Sequence, residues 1–502
     1  MIDILTIISA IKKRVSKQDV LLCAVLLTLF VASRVIHLTQ LPIFTDEAIY
    51  IHWAKLAWKD ASWRFVSLTD GRQPLQTWAT IGLLKLFDDP LFAGRMFGVL
   101  SGVFSFVGFF TLITLLFGKR YAHIGALLYL CNPYFLFYER MALVDALVNG
   151  FFIWFLVGGI VIWKYRRLDS ALIFGLLAGM ALLSKSTIRI FFPMLFLLPF
   201  FLYENKTFKA RTLTYYTLLI IAALLAFVLY NIQRLSPFMH FIEQKNTTFV
   251  LSFSQFLAHP FNPLLHNLRI IPQYILSESA LLAPIVGMVG LFFLYKKKRG
   301  LVLLLVTSFV IPFLAIAGFA MVIFPRYLIF LTVPFFIGFV YLAGQKKIGT
   351  LIIAVYLLST IYMNWAILFS PSKIPFPPID RGQYIEGYTA GFGVNDMVAK
   401  FKKEAAKKDI YVFTEGTFGL LPYAFDIYTA YTPLPIHYEP RWPVKDDDFV
   451  YAQKLAIKYT VYFVFAERDL FPDHWPISLV KKYPKPFGPH GLYLYKVQPK
   501  YE

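Results

Sequence analysis

The sequence predicts an α-helical polytopic membrane protein that ends in a small soluble α/β domain. Three observations predict this fold class. The chain of 502 residues is 58% hydrophobic and 16% charged, whereas soluble domains average about 45–50% apolar and about 25% charged residues. Apolar runs of roughly 20 residues, the length that a helix needs to cross a bilayer, recur up to residue 371. From residue 372 the composition becomes rich in Lys, Asp, Tyr and Pro.

The apolar runs predict about eleven transmembrane helices. They lie near 20–38, 92–117, 121–138, 143–163, 170–184, 187–203, 212–230, 279–295, 301–322, 327–343 and 348–369. Alternate connections are basic, among them Lys12-Lys13-Arg14, Lys119-Arg120, the segment around Lys206, and Lys296-Lys297-Lys298-Arg299. The positive-inside rule makes these connections cytoplasmic. We therefore expect a cytoplasmic N-terminus and an extracytoplasmic C-terminal domain in the cell membrane. The net charge of +20 then reflects topology, which argues against nucleic-acid binding.

Two long loops are expected on the outer side, at about 39–91 and 231–278. The first contains two amphipathic stretches, Glu47–Trp58 and Pro74–Phe87, whose aromatic residues are typical of helices that lie in the membrane interface. The chain thus divides into a membrane domain, 1–371, and an extracytoplasmic domain, 372–502. In the second domain the pattern predicts a helix and three strands, at Val394–Lys407, Ile410–Thr414, Thr460–Ala466 and Leu492–Val497.

A short set of charged residues falls on the predicted outer side, beside the apolar runs. They are Asp46, Glu47, Arg72, Arg95, Arg140, Asp145, Lys185, Arg189 and Arg326. Charge at membrane depth costs about 2.5–3.5 kcal/mol on insertion scales, so each residue needs a partner or a role. A carboxylate can take a proton from an acceptor hydroxyl, while Lys and Arg stabilise a phosphate leaving group. This combination predicts group transfer from a phosphate-bearing donor.

Structural roles would explain the same residues. Thr45 or Asp46 could cap the helix that follows, with the acids favoured in its first turn. Arg140 and Asp145 could form an ion pair, and Arg95 could pair with Asp88 or Asp89. Lys185 could extend its side chain to the membrane interface. Arg326 could anchor a helix end, and Arg72 could be an ordinary cation of the loop.

In their order along the chain, these residues resemble the GT-C membrane glycosyltransferases. The likeness is to bacterial and archaeal relatives of the protein O-mannosyltransferases and to the lipid A aminoarabinose transferase. It covers about 20–345. Its motifs are Thr-Asp-Glu-Ala-x-Tyr at Thr45–Tyr50, Pro74-Leu75 after Arg72-Gln73, Arg95, the Arg140 and Asp145 pair, Leu183-Ser184-Lys185, and Arg326-Tyr327-Leu328 followed by Pro334.

The resemblance implies an inverting transfer from a polyprenyl-phosphate-linked sugar to an acceptor hydroxyl or amine of a lipid, glycan or protein. It implies that Asp46 is the general base and Glu47 a helper that orients it or binds the acceptor. The implied donor-phosphate contacts are Lys185, Arg326, Arg140 and Arg72, with Asp145, Arg95 and Tyr50 as supporting polar residues. The His that relatives often carry before the Pro-Leu segment is absent here, where Arg72-Gln73 stands.

We expect no cofactor. Some GT-C branches hold a divalent metal with Asp-x-Asp acids, but no Asp-x-Asp occurs in the predicted membrane domain, 1–371, and HExxH occurs nowhere in this sequence. Two other functions stay open: a transporter or flippase of lipid-linked intermediates, and a non-catalytic membrane scaffold. Transporters place ionisable groups near the bilayer midplane, whereas these charges fall on one predicted side.

Overall fold

The fold is a bundle of long apolar helices with a small sheet domain at the C-terminal end of the chain. The computed structural model describes residues 16–202 and 208–500. Within this part, seven helical segments are long and apolar enough to cross a membrane: Lys17–Val35, Pro90–Phe117, Asp145–Tyr165, Lys209–Leu235, Arg299–Phe319, Pro325–Ala343 and Gly349–Phe369. An eighth is added if Leu264–Glu278 and Leu282–Tyr295, which meet at 105°, count as one span. The predicted fold class is confirmed.

The predicted number of eleven spans is not confirmed. Leu168–Leu182 and Ser186–Phe201 are apolar but shorter than a full span. The predicted span 121–138 is divided between two helices, because Asn132 accepts the N–H of Tyr134 and so starts a new helix with Pro133 at its first position. The basic clusters at Lys12-Lys13-Arg14 and Lys206 lie outside the described residues.

We number the helices in chain order. The first ten are α1 (Lys17–Val35), α2 (Thr45–Lys59), α3 (Leu75–Leu84), α4 (Pro90–Phe117), α5 (Lys119–Leu130), α6 (Pro133–Tyr138), α7 (Asp145–Tyr165), α8 (Leu168–Leu182), α9 (Phe192–Phe201) and α10 (Phe208–Tyr230). The others are α11 (His240–Thr247), α12 (Phe253–Ala258), α13 (Leu264–Glu278), α14 (Leu282–Tyr295), α15 (Arg299–Phe319), α16 (Val333–Ala343), α17 (Gly349–Phe369), α18 (Pro378–Arg381), α19 (Val394–Ala405), α20 (Leu420–Thr429) and α21 (Asp446–Ala456). Irregular turns at Ser186–Phe191, Pro325–Thr332 and Gly382–Glu386 carry residues of the site.

Both amphipathic stretches of the first long loop form helices, α2 and α3. Helix α2 begins at Thr45 because the Glu47 carboxylate accepts the N–H of Phe44 at 3.1 Å, which satisfies a donor that the helix itself leaves free. Most of its residues are buried, among them Ile49, Ile51 and Trp53. Helix α2 is therefore packed into the protein, whereas the turn that follows it, at 59–62, is exposed.

The C-terminal domain is built on a five-stranded mixed sheet. Its strands are β1 (Ile410–Glu415), β2 (Ile436–Arg441), β3 (Thr460–Phe465), β4 (Ile477–Pro484) and β5 (Gly491–Val497), in the order β2-β1-β3-β5-β4. Strands β2 and β3 run parallel to β1, whereas β5 runs antiparallel to β3 and β4. The three predicted strands are present, and the two that were not predicted, β2 and β4, form the edges.

One hydrophobic core joins this domain to the first long loop. It contains Ile49, Ile51 and Trp53 of α2 together with residues of α19, α20 and the sheet, such as Met397 and Phe425. Two polar contacts also join α2 to the C-terminal domain. His52 Nδ1 lies 2.6 Å from the Asp426 carboxylate, and Lys55 Nζ donates to the carbonyl of Ile427 at 2.6 Å. The domain is thus fixed against the helix that carries Asp46.

Candidate active site

Asp46 lies in the first turn of α2 and faces cations from other parts of the chain. Its Oδ2 accepts a hydrogen bond from Arg326 Nη2 at 2.8 Å, and Arg72 Nη2 lies 3.7 Å from its Oδ1. Its side chain keeps 23% of its surface exposed. The Asp46 carboxylate is therefore charge-balanced and still open to a reactant.

The charge environment sets the proton affinity of Asp46. Burial by itself would raise its pKa, but Arg326 and Arg72, with smaller contributions from Lys245 and Lys185, hold that pKa below its ordinary value. A carboxylate in this state is ionised at neutral pH. Asp46 is thus ready to accept a proton, and the strength of Asp46 as a base depends on how firmly the two arginines hold it.

A second carboxylate, Asp145, lies on the other side of Arg326. Asp145 opens α7 and accepts a hydrogen bond from Lys185 Nζ at 2.6 Å, while Arg326 Nε lies 4.0 Å from its Oδ2. The Lys185 ammonium also sits 4.1 Å from the centre of the Tyr327 ring. Lys185 precedes the irregular turn Ser186–Phe191, and its side chain is a quarter exposed. Arg326 therefore bridges two acids, with Lys185 as a partly free cation beside it.

Arg72 and Tyr50 complete the cluster. The Arg72 guanidinium lies 4.0 Å from the centre of the Tyr50 ring, a cation–π contact, and Arg72 Nε also pairs with Asp70. Burial raises the pKa of Tyr50, so its hydroxyl stays neutral. The structure thus brings together six of the residues that the sequence singled out: Asp46, Tyr50, Arg72, Asp145, Lys185 and Arg326.

Glu47 lies outside this cluster, and the role of helper that the resemblance implied, orienting Asp46 or binding the acceptor, stays a prediction. Its carboxylate is fully buried and accepts four hydrogen bonds: two from Arg95 at 2.7 and 2.9 Å, one from the N–H of Ala142 at 2.8 Å and one from the N–H of Phe44 at 3.1 Å. Arg95 also donates to the carbonyls of Leu38, Leu41 and Pro42. Both side chains are saturated, so they fix the start of α2 and are closed to a substrate. Arg95 pairs with Glu47, and not with Asp88 or Asp89.

Arg140 also has a different place from the predicted phosphate contact. Its guanidinium donates to three carbonyls near the end of α1, those of Ser33, Arg34 and His37, at 2.9, 2.9 and 3.1 Å. Helix ends leave carbonyls without intrahelical partners, and Arg140 satisfies them here. The Arg140–Asp145 ion pair is absent as well, because Asp145 pairs with Lys185.

Comparison with known proteins agrees with this architecture. The apo structure of ArnT from Cupriavidus metallidurans has a TM-score of 0.61 over 95% of this chain and 97% of that chain, at 13% identity. The chain has the fold of the GT-C membrane glycosyltransferases. An apo oligosaccharyltransferase from Archaeoglobus fulgidus shares the GT-C fold, with a TM-score of 0.51 over 89% of this chain and 69% of that chain, at 12% identity.

In sequence, residues 72–230 match the family of dolichyl-phosphate-mannose-protein mannosyltransferases. No curated protein matches the chain. The matched region contains Arg72, Asp145 and Lys185, whereas Asp46 and Arg326 lie outside it. The fold therefore brings together residues of the candidate site that the sequence match covers only in part.

Three residues near the candidate site were not predicted. Gln383 and Tyr384, beyond the membrane bundle in sequence, both face Arg326, and Lys245 of the second long loop contributes to the lowered pKa of Asp46. Gln383 lies 57 residues after Arg326, and a single polar residue at that distance carries no pattern. One sequence feature could have pointed to Lys245, namely its positive charge on the predicted outer side of the membrane.

Proposed function

We propose that the chain is a glycosyltransferase that moves a sugar from a polyprenyl-phosphate donor to a hydroxyl or amine of an acceptor. The observation that carries this proposal is the open Asp46 carboxylate between Arg326 and Arg72, with the Lys185–Asp145 pair beside it. A base and phosphate-binding cations within one cluster are what such a transfer requires. The GT-C fold supports it, and so does the structure of ArnT from Cupriavidus metallidurans bound to undecaprenyl phosphate, at 14% identity.

In the proposed reaction, Asp46 takes the proton of the acceptor group as that group attacks the anomeric carbon of the sugar. The bond from the anomeric carbon to the phosphate oxygen breaks, and the electron pair leaves with the polyprenyl phosphate. Lys185 and Arg326 stabilise the charge that the phosphate gains, with Arg72 beside them. Attack from the face opposite the phosphate inverts the anomeric configuration.

The contacts of Asp46 suggest how the donor prepares the base. Without donor, Arg326 and Arg72 lower the proton affinity of Asp46. A donor phosphate that takes hydrogen bonds from the same guanidinium groups draws them away from Asp46, because each group has a fixed number of N–H donors. Asp46 then becomes a stronger base when the donor is bound, and it can take the proton of the acceptor more readily.

We further propose that the site lies on the extracytoplasmic face of the cell membrane. Arg95 lies near the start of α4, and Lys298 donates to the carbonyl of Leu116 at the opposite end of α4 at 2.8 Å. These two ends are about 30 Å apart at about 1.5 Å per residue, which equals the hydrocarbon thickness of a bilayer. The basic connections and the site therefore occupy opposite ends of the bundle, as the positive-inside rule requires of an outer site.

We also propose that transfer needs no divalent metal. In the described ranges, no three His, Cys, Asp or Glu side chains lie together as metal ligands would. Asp46 and Asp145 already face Arg326 and Lys185, and these cations supply positive charge for the phosphate. Transfer in the presence of excess chelator should equal transfer in its absence. Loss of transfer that Mg²⁺ or Mn²⁺ restores would contradict this part of the proposal.

The experiment that tests the function compares Asp46→Asn with wild type in membranes supplied with a panel of labelled polyprenyl-phosphate sugars. We expect consumption of the donor to fall by about 10²- to 10⁴-fold, the usual contribution of a general base, with an unchanged unfolding temperature. Asp60→Asn is the matched control, since Asp60 lies on the same loop and its carboxylate accepts hydrogen bonds from Ser62. Wild-type transfer by Asp46→Asn would refute the assignment of the base. Translocation of a labelled lipid by wild type without consumption of any donor would favour a flippase.

A further inference from the structure

The segment 378–391 connects the bundle to the C-terminal domain and passes directly behind the site. We name this segment the strap. We propose that the strap is a positioning element of the active site, and that Gln383 is the residue that positions Arg326. The proposal rests on the transferase function proposed above and gives the C-terminal domain a part in it.

Arg326 uses its donors in two directions. Its Nη2 and Nε face the carboxylates of Asp46 and Asp145. Its Nη1 faces the strap, where it donates to Gln383 Oε1 at 2.6 Å and to the Tyr384 hydroxyl at 3.3 Å. A guanidinium is planar, so a contact that fixes one nitrogen fixes the directions of the others. The strap therefore sets the plane in which Arg326 meets Asp46, Asp145 and a donor phosphate.

The strap also holds the other partner, Asp46, through the residue that precedes it. The backbone N–H and the hydroxyl of Thr45 both donate to the carbonyl of Thr389 at 3.1 Å. The N–H of Gly391 donates to the carbonyl of Ile43 at 2.9 Å. Within the strap, the Thr389 hydroxyl donates to the carbonyl of Gln383 at 2.7 Å. One short segment thus fixes both members of the Asp46–Arg326 pair relative to each other.

The strap is itself anchored at two places. On the bundle side, the fully buried Asp380 carboxylate accepts the hydroxyl proton of Tyr138 and faces the buried carboxyl group of Glu278. On the sheet side, the buried Lys485 ammonium donates to the carbonyl of Gly387. The strap is therefore tied to the bundle and to the sheet at once.

The chemistry of residue 383 fits this role. A neutral amide oxygen can orient Arg326 without cancelling its charge, whereas a carboxylate at the same position would compete with the donor phosphate for it. Glutamate is close to glutamine in size and keeps the acceptor oxygen. The substitution Gln383→Glu therefore tests the charge requirement separately from the shape of the site.

The experiment measures donor KM, kcat and the pH profile of kcat/KM for wild type, Gln383→Glu and Gln383→Ala. For Gln383→Glu we expect a donor KM about tenfold higher, the size of one charged hydrogen bond. We also expect the acidic limb of its kcat/KM profile to move to higher pH, because Arg326 would share its charge among three carboxylates and would lower the pKa of Asp46 less. For Gln383→Ala we expect a lower kcat, since Arg326 loses its fixed plane, and no upward movement of the acidic limb. Gln453→Glu is the matched control, because Gln453 lies in the C-terminal domain, where its side-chain amide donates to the carbonyl of Gln498.

A purely structural role of Gln383 predicts a different outcome. Gln383→Glu and Gln383→Ala would then both unfold at a lower temperature than wild type. Their donor KM and the acidic limb of their kcat/KM profile would match wild type once the fraction of active protein is taken into account. That result, with wild-type transfer intact, would overturn the role of the strap and leave the proposed function standing. The stabilisation of the protein by undecaprenyl phosphate alone gives a measurement that needs no turnover. We expect undecaprenyl phosphate to raise the unfolding temperature less in Gln383→Glu than in wild type. An equal rise in wild type and in Gln383→Glu would overturn the proposal even if no sugar donor is found.

Discussion

Asp46 and Glu47 are neighbours in α2, yet they lie in two different kinds of environment. Glu47 is fully buried and accepts four hydrogen bonds from Arg95 and two backbone N–H groups. Asp46 has one close ion-pair contact, a second at 3.7 Å, and 23% of its side chain exposed. Successive residues of a helix point about 100° apart, so the two carboxylates face different surroundings. A saturated acid fixes a structure, whereas an unsaturated one can exchange partners with a substrate.

The same contrast separates the cations. Arg140 donates to backbone carbonyls, and Arg95 donates to backbone carbonyls and to the fully buried Glu47 carboxylate, partners that a substrate cannot reach. Arg326 and Lys185 are surrounded by carboxylates and aromatic rings, and such carboxylates can be exchanged for a phosphate. The partner type therefore distinguishes structural cations from functional ones more sharply than burial does, since Arg326 is nearly as buried as Arg95.

The largest effect is expected on the structural side. Glu47→Ala leaves the Arg95 guanidinium buried without a counter-charge, which should lower the free energy of unfolding by about 3–5 kcal/mol. Thermal unfolding in detergent measures it. The double variant Glu47→Ala with Arg95→Met removes both charges and should recover part of the loss. A stable Glu47→Ala protein that has lost transfer would return Glu47 to the catalytic cluster.

On the functional side, Lys185→Gln keeps a donor for Asp145 and removes only the charge. We expect the donor KM to rise about tenfold to a hundredfold, since hydrogen bonds to charged groups contribute about 1.5–3 kcal/mol. Lys185→Arg should recover most of the affinity. Lys164→Gln, on the basic end of the bundle, is the control. An unchanged donor KM together with a lower unfolding temperature would make Lys185 a structural residue.

Arg140→Gln tests the corrected assignment of Arg140. The carbonyls of Ser33, Arg34 and His37 would lose their charged donor, and we expect the free energy of unfolding to fall by about 1–3 kcal/mol. Donor KM should stay at the wild-type value. A rise in donor KM similar to that of Lys185→Gln would restore the phosphate contact that the resemblance implied.

The smallest effect concerns the proton affinity of Asp46. Arg72 is one of the two cations that lower its pKa most, so Arg72→Gln should raise that pKa. Asp46 would then lose its charge at a higher pH, and the acidic limb of the kcat/KM profile should move upward by about one pH unit. Arg64→Gln, in the same loop, is the control. If the acidic limb of the Arg72→Gln profile stays at the wild-type pH, a group other than Asp46 limits transfer at low pH.

The sequence predicted the fold class and the grouping of the site, because apolar runs, basic connections and isolated charges are local patterns. It did not predict which side chains contact each other. Arg140 and Asp145 are five residues apart, but Asp145 opens α7 while Arg140 lies before the turn, so their side chains diverge. Helix breaks such as Asn132-Pro133 lie inside apolar runs, and edge strands β2 and β4 have exposed faces without a clear alternation. These features depend on contacts between segments that are distant in the sequence.

The core that α2 shares with the sheet domain has a consequence for the synthesis of the protein. Ile49, Ile51 and Trp53 pack against residues such as Met397 and Phe425, which the ribosome adds only after the whole bundle. At about 5–20 residues per second, the first loop waits on the order of tens of seconds with this apolar face uncovered. The membrane interface, where aromatic rings are stable, offers a place for α2 during that delay. A segment that is translated after the bundle therefore covers the helix that carries Asp46.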